Sequence, residues 1–289
     1  MDVSVIIPAY NEGASIGELL QRIAALKLDG EVIVVDDCSV DRTREIATDA
    51  GVKVLSHPYR MGNGAAVKTG MRKAKGDIIL LLDADLQHPP EIIPQILKKM
   101  EVFDMVVAAR TSKSDVSLFR SAGNFILRRV AQSLTQHKIP DLTSGFRAVR
   151  RDLAMEFIHL LPNGFSYPTT LTLSFLKTGY FVGYENVESI KKREQGKSKI
   201  QPFKNGFEFV LLIMRIIMLF DPLRIFMPVS MLFFALGAGL VIHQLIVFGA
   251  VKGGSVLALL TAVFLFFFGL IADQSAAIRR ELRRKTGEN

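Results

Sequence analysis

Two carboxylates separated by one residue, Asp83 and Asp85, follow the apolar run Ile78 to Leu82 and lead into Leu86-Gln87-His88-Pro89-Pro90. A short apolar run of this kind reads as a buried strand. Carboxylates at the end of such a strand can converge on one hard divalent cation, and Gln87 can add a neutral oxygen. Such a cation commonly sits on the phosphates of a substrate. The plainer explanation of an acid pair is helix capping or a solvated turn. Two other stretches with the same placement weigh against it: Tyr10-Asn11-Glu12 follows the apolar run Val3 to Ile7, and Asp36-Asp37 follows Val32 to Val35.

The elements that must position these residues alternate through about residue 110. Helical spacing is present at Ile16 to Leu26, at Arg42 to Ala50 behind a cap at Asp41 or Ser39, at Ala65 to Ala74, and from Pro90 to about Glu101. Strand-like runs lie at Val52 to Leu55 and Met105 to Ala109. This alternation predicts an α/β fold with a mainly parallel sheet covered on both faces. In such sheets ligands bind beyond the C-terminal strand ends, where the acidic residues fall. A dinucleotide-binding domain would carry GxGxxG after the first strand, but Pro8-Ala9-Tyr10-Asn11-Glu12-Gly13 stands there. Gly62-Asn63-Gly64 is not a P-loop, because no Gly-Lys-Ser/Thr follows. From about 111 to 200 the pattern is less regular and basic residues recur.

The C-terminal part has a different composition. Phe226 to Phe248 and Gly253 to Ala272 contain no Asp, Glu, Lys or Arg. A bilayer core needs about 20 such residues in a helix, so these stretches predict two spans joined by a tight link at Gly249 to Gly254. Phe207 to Phe220 is apolar almost all round but too short to span, as expected of an interfacial helix. Basic residues flank the pair, from Lys191 to Lys199 upstream and from Arg279 to Lys285 downstream, whereas the link carries only Lys252. The positive-inside tendency then places the N-terminal body and the C-terminal tail in the cytoplasm. The N-terminus begins with a strand pattern, not a signal sequence. A net charge of +8 suits an anionic membrane surface or a phosphate-rich substrate, and no motif points to nucleic acid. The single cysteine, Cys38, excludes an intrachain disulfide and a CxxC metal site. The five histidines show no metal-ligand spacing. Gly237, Gly239, Gly249 and Gly269 suit close helix packing, including self-association into a homo-oligomer.

Several segments, in this order, resemble the inverting nucleotide-sugar glycosyltransferases of family two, which have the GT-A fold: Val3 to Glu12, Glu31 to Thr43, Gly62 to Asp77, the acidic motif from Asp83 to Pro90, Ser144-Gly145-Phe146-Arg147, and Lys192 to Lys199. The polyprenyl-phosphate branch is the most similar, typified by dolichyl-phosphate mannose synthases and bacterial polyprenyl-phosphate glucosyltransferases. The resemblance implies a GT-A domain over residues 1–205, an interfacial helix over 206–224, two transmembrane helices over 225–278 and a basic tail over 279–289. It implies a donor pocket of Pro8, Tyr10, Glu12, Val35, Asp37 and Ala84, with Asp83, Asp85 and Gln87 holding Mg²⁺ or Mn²⁺ on the donor diphosphate. Arg110 and Arg193 resemble phosphate-contacting arginines, with Lys199 in the same basic loop, which can close over bound phosphates. On this reading Asp85, Arg110 and Arg193 are the catalytic set. Arg120 resembles the acceptor-phosphate arginine. Relatives often show Ser four residues after it, where this chain has Asn124. Asp141 and Arg147 are candidates for shaping the acceptor side. The implied activity is transfer of one sugar from GDP-mannose, a UDP-hexose or a UDP-N-acetylhexosamine to a polyprenyl or dolichyl monophosphate at the cytoplasmic membrane. One alternative is the same fold with a polysaccharide or other lipid acceptor, although a processive synthase usually adds a QxxRW-type motif and this chain has no Trp. Another is a non-catalytic membrane module that binds nucleotide-sugars.

Overall fold

A computed structural model of the chain describes residues 2–110, 135–164, 166–187 and 220–287, with a few single positions between these ranges; side chains are described as far as residue 278. The chain divides into two compact units, Met1–Gln201 and Pro202–Asn289.

Among the described residues the first unit is built on a seven-stranded sheet in the order β3-β2-β1-β4-β6-β5-β7. The strands are β1 Val3–Ala9, β2 Gly30–Asp36, β3 Lys53–Ser56, β4 Ile78–Leu81, β5 Met105–Arg110, β6 Arg147–Arg150 and β7 Val182–Val187. Every residue of β1 is buried, as expected of a central strand covered on both faces. Its one polar side chain is satisfied: the Ser4 hydroxyl donates to Glu31 Oε1 at 2.9 Å and accepts the Gly76 N–H at 2.9 Å.

Alternate side chains along each strand serve two separate cores. Val5, Ile7, Val34 and Leu80 pack with Leu19, Leu20 and Ile23 of α1 (Ile16–Ala25) and with Ile93 and Ile96 of α4 (Ile93–Lys99). Ile6, Ile33, Val35, Ile79 and Leu81 pack on the other face with Val67 and Met71 of α3 (Asn63–Lys73), Phe157 of α5 (Arg151–Phe157), and Leu171 and Phe175 of α6 (Tyr167–Thr178). The buried set of α1 is Ile16, Leu19, Leu20 and Ile23, the spacing of a one-faced helix. α2 (Thr43–Asp49) lies between β2 and β3. Asp41, not Ser39, accepts the N–H of its first residue, Thr43, at 3.0 Å, while Ser39 Oγ accepts the Asn11 N–H.

All strand pairs are parallel except those of β6, which runs antiparallel between β4 and β5. Sequence periodicity does not reveal this strand, which has only four residues and both a first and a last arginine. Its reversed direction has a direct consequence. The start of β6, with Ser144-Gly145-Phe146 just before it, lies at the same sheet edge as the ends of β4 and β5.

The second unit contains α7 (Leu223–Phe248) and α8 (Gly253–Gly287), and the stretches Leu223–Phe248 and Gly253–Ile278 are long and apolar enough to cross a bilayer. Large side chains such as Phe234, Ile246 and Phe267 are more than half uncovered, unlike those of a soluble core helix. The two helices approach closely at glycines: a Cβ on Gly237 would lie 2.8 Å from Leu259, and one on Gly269 would lie 2.7 Å from Phe226. Gly239 and Gly249 have open space at that position. Ser230 Oγ donates to the Ala262 carbonyl across the pair at 2.8 Å. Gln244 Oε1 closes the turn by accepting the Lys252 N–H at 2.7 Å and the Ser255 hydroxyl at 2.9 Å. The expected interfacial helix at Phe207 to Phe220 lies almost wholly outside the described residues.

Candidate active site

The edge formed by the C-terminal ends of β1, β2, β3, β4 and β5 collects the polar residues singled out from the sequence. Three of the loops there hold a non-glycine residue at positive φ: Asn11 at 54°, Cys38 at 63° and Leu86 at 57°. Such backbone is uncommon, and for Leu86 it is a genuine outlier. It turns the chain so that the Gln87 N–H reaches Asp85 Oδ1 at 3.1 Å. The segment beyond is anchored from outside by Arg22 of α1, which grips Glu91 through Nε at 2.8 Å and Nη2 at 2.7 Å.

Asp83 is half-buried and lies against Gly145 so closely that a Cβ there would overlap its Oδ2. Asn63, at the start of α3, hydrogen-bonds to the Asp83 carboxylate. Burial and the neighbouring Asp85 carboxylate push the Asp83 pKa up to about 6, against the pull of the Asn63 bond and of the charges on Arg147 and Arg110. Two carboxylates held this close concentrate negative charge that a cation relieves.

Arg110 ends β5 and is bound to Asp141: Nε donates to Oδ2 at 2.7 Å and Nη2 to Oδ1 at 3.2 Å, while Nη2 also reaches Thr143 Oγ1 at 2.8 Å. Burial alone would raise the Asp141 pKa, but the hydrogen bonds and charge of Arg110, with the N–H groups of Thr143 and Arg110, hold it below the usual carboxylate range. Asp141 is therefore the residue that fixes Arg110, a role its sequence context did not indicate. Arg147, expected on the acceptor side, has no exposed surface, so its side chain acts through its neighbours and does not touch an acceptor directly. Its guanidinium donates to the carbonyls of Pro168 and Ser144 and to Thr172 Oγ1. It thereby ties the turn that carries Gly145 to α6. His88 packs edge-on to Phe146; burial, aided by the Arg110 charge, lowers its pKa to about 4 and keeps it neutral.

On the flank of β2 and β3, Asp37 is a buried hub. Its carboxylate accepts His57 Nδ1–H at 2.7 Å and the N–H groups of Met61 and Gly62 at 2.8 Å each. The second His57 nitrogen meets Thr69 Oγ1 at 3.0 Å. Burial would raise the Asp37 pKa, but these hydrogen bonds lower it overall. Gly62 has φ 102°, a conformation open to glycine and costly for other residues. Tyr10 is half-buried, and the Arg60 guanidinium lies over its ring, 4.3 Å from the centroid. The Glu12 N–H donates to Thr43 Oγ1 at 2.8 Å, and its carboxylate accepts the Ser15 hydroxyl at 3.3 Å.

Of the residues named from the sequence, Tyr10, Glu12, Asp37, Asp83, Ala84, Asp85, Gln87 and Arg110 lie at this edge. Pro8 and Val35 are side by side in β1 and β2 and buried; the Val35 side chain is in the core, so only its backbone can face a pocket. Arg120, Asn124, Arg193 and Lys199 lie outside the described residues. Asn63, Gly145, His57 and Arg60 join the edge without having been expected there, and Asp141, expected on the acceptor side, serves there to hold Arg110. The Ser144–Arg147 segment stood out as a motif, but its distance along the chain from Asp83 hides the contact.

Residues 4–158 match the family model for glycosyl transferase family 2, and residues 221–278 match that of the GtrB C-terminal hairpin. A dolichol-phosphate mannosyltransferase of Pyrococcus furiosus is 35% identical over 230 residues, which cover 75% of this chain and 64% of that protein. An undecaprenyl-phosphate 4-deoxy-4-formamido-L-arabinose transferase of Pseudomonas fluorescens is 32% identical over 293 residues, covering 92% of this chain and 80% of that protein. Among solved structures, glucosyl-3-phosphoglycerate synthase from Mycobacterium tuberculosis, in complex with Mn²⁺, uridine-diphosphate and phosphoglyceric acid, superposes with a TM-score of 0.61. At 22% identity over 75% of this chain and 77% of that one, the likeness concerns the fold, which is GT-A. One family model spans the residues that carry most of the sheet, the other spans most of the paired apolar helices, and the chain belongs to glycosyl transferase family 2.

Proposed function

We propose that the protein transfers one sugar from a nucleotide-sugar to the phosphate of a polyprenyl phosphate at a membrane, inverting the anomeric centre and using a divalent cation. The observation that carries this reading is the Asp83–Asp85 pair at the end of β4 in a chain that also holds a long apolar hairpin. The first suits a phosphorylated soluble donor; the second suits a lipid-borne acceptor. The names of both relatives join a sugar to a lipid phosphate, in keeping with it.

The residues present fit a cation. Among the described residues no cluster of three His, Cys, Asp or Glu forms a complete cage. Asp83 and Asp85, with Gln87, would leave positions for water and phosphate oxygens, the habit of Mg²⁺ and of similar hard ions. The fold neighbour was solved with Mn²⁺ and uridine-diphosphate, which supports the same assignment. When bound, such a cation neutralises charge gathering on the leaving diphosphate.

The chain's own groups do the rest. Arg110, oriented by Asp141, presents its remaining N–H edge to a phosphate oxygen. Arg193, with Lys199, would close over the diphosphate. Arg120 and Asn124 would hold the acceptor phosphate. A lipid monophosphate is already anionic near neutral pH, since phosphomonoesters have a second pKa of about 6, so no general base is required. Its oxygen attacks the anomeric carbon from the face opposite the leaving group, and the single displacement inverts that centre. In this reading residues 1–205 are the transferase domain, 206–224 an interfacial helix, 225–278 the spans and 279–289 a basic tail. The body and tail face the cytoplasm, as the flanking charges favour.

The test is a donor screen. Detergent-purified protein is incubated with Mg²⁺ or Mn²⁺, a short polyprenyl phosphate and each common nucleotide-sugar, and glycolipid is read by mass spectrometry. One productive pair supports the reading and names the sugar. Donor hydrolysis or binding without glycolipid from any polyprenyl phosphate refutes the acceptor assignment.

A further inference from the structure

Arg60 has no place in the chemistry above, yet the fold spends several interactions on holding it. The segment from His57 to Gly62 is fastened at both ends to one buried carboxylate: Asp37 accepts His57 Nδ1–H on one side of Arg60 and the N–H groups of Met61 and Gly62 on the other. Between these anchors the Arg60 side chain is exposed, and among the described residues it forms no ion pair. Its Cζ lies over the Tyr10 ring, 4.3 Å from the centroid. An exposed contact of this kind contributes little to stability by itself.

The sheet order says which part of a donor can reach it. Asp83 and Asp85 follow β4. Tyr10 follows β1, next in the sheet, and Arg60 comes from the loop after β3, three strands from β4. With strands about 4.8 Å apart, that separation is about 14 Å, close to the reach of an extended nucleoside diphosphate. If the diphosphate lies at the acidic pair, the nucleoside lies toward β2 and β3.

We propose that Arg60 is a nucleobase-recognition residue, its guanidinium plane extending the Tyr10 surface as the platform on which the donor's base stacks. This rests on the donor-site reading given above and adds a residue and a selectivity to it. Guanidinium planes stack on bases in the same way as aromatic rings. Arg carries hydrogen-bond donors and no acceptor. Its edge therefore favours guanine and uracil, which present a carbonyl oxygen at O6 or O4, over adenine and cytosine, which carry an amino group at the corresponding position.

The experiment is isothermal titration calorimetry of the full-length protein in detergent with Mn²⁺. It uses GDP, UDP, ADP, CDP and inorganic pyrophosphate, on wild type, Arg60→Ala and Arg60→Lys. The expected result is tighter binding of GDP or UDP than of ADP and CDP. Arg60→Ala should lose about tenfold in affinity for the preferred nucleotide, with pyrophosphate binding unchanged. Arg60→Lys should not restore the loss, because it keeps the charge and removes the plane. Equal affinity of wild type and Arg60→Ala for the preferred nucleotide overturns the inference and leaves the donor site standing. An equal loss for pyrophosphate also overturns it, since Arg60 would then sit at the phosphates. If wild type binds no nucleoside diphosphate, the donor-site reading itself fails.

Discussion

Asp83 and Asp85 are separated by a single residue, but their surroundings distinguish them. Asp83 is locked between Gly145 and Asn63, whereas Asp85 is engaged by the Gln87 N–H. Replacing Asp85 by Ala should lower sugar transfer at least about a hundredfold, the scale of losing one preorganised electrostatic group, while the melting temperature stays near that of wild type. A variant with the wild-type rate would remove Asp85 from the cation site. Gly145→Ala probes the same centre from behind. Its Cβ would overlap Asp83 Oδ2, so Mn²⁺ affinity in the presence of nucleotide should fall with the fold retained; unchanged affinity would show that the Asp83 carboxylate is not held where it is used. Asp37 gives a pH prediction. Its folded-state pKa is lowered because the His57, Met61 and Gly62 hydrogen bonds outweigh burial. The stabilisation is complete above the unfolded-state pKa of about 3.9 and is lost as pH falls through the lower folded value. Thermal melts should therefore decline below about pH 4, and Asp37→Asn should flatten that decline while lowering stability at neutral pH.

At the scale of elements, the antiparallel strand β6 and the helical pair matter most. β6 reverses direction so that Gly145 and Arg147 arrive beside the acidic motif, and Arg147 is fixed in turn by Pro168 and Thr172 of α6. In the hairpin, Gly237 and Gly269 let α7 and α8 approach. Gly237→Leu should destabilise the detergent-solubilised protein by about 1–3 kcal/mol, the usual cost of overpacking. Ser230→Ala should cost about 0.6 kcal/mol, the mean for hydrogen bonds between membrane helices. Differential scanning of both variants compares the two losses, and a harmless Gly237→Leu would mean that the helices do not meet there.

The whole chain joins an aqueous site to a bilayer-length hairpin, and the proposed activity requires both. The charge distribution favours one topology: basic flanks inside and Lys252 in the turn outside. In a Cys38→Ser background, Lys252→Cys in intact cells should react with a membrane-impermeant maleimide. A cysteine placed after Asn289 should react only after permeabilisation. The reverse pattern would put the acidic site on the side opposite to the cytoplasm and refute the localisation.

The acid pair, the strand–helix alternation to residue 110 and the two apolar helices were legible in the sequence because each depends on residues close together in the chain: period, length and charge are local quantities. Helix and strand ends shifted by a few residues, as expected where caps and pairing decide them. Contacts over long separations were not legible. The Asp141 clamp on Arg110 joins residues 31 positions apart. The full burial of Arg147 and the seat of Asp83 on Gly145 follow from one reversed strand that no periodicity announces. Even the fate of Asp37, a hub that fixes the loop carrying Arg60, follows from how the loops after β2 and β3 pack together. The types of side chain at the strand ends and the length of the apolar runs are local and can be read along the chain; which groups hold one another in place depends on the fold, because hydrogen bonds and burial act across space.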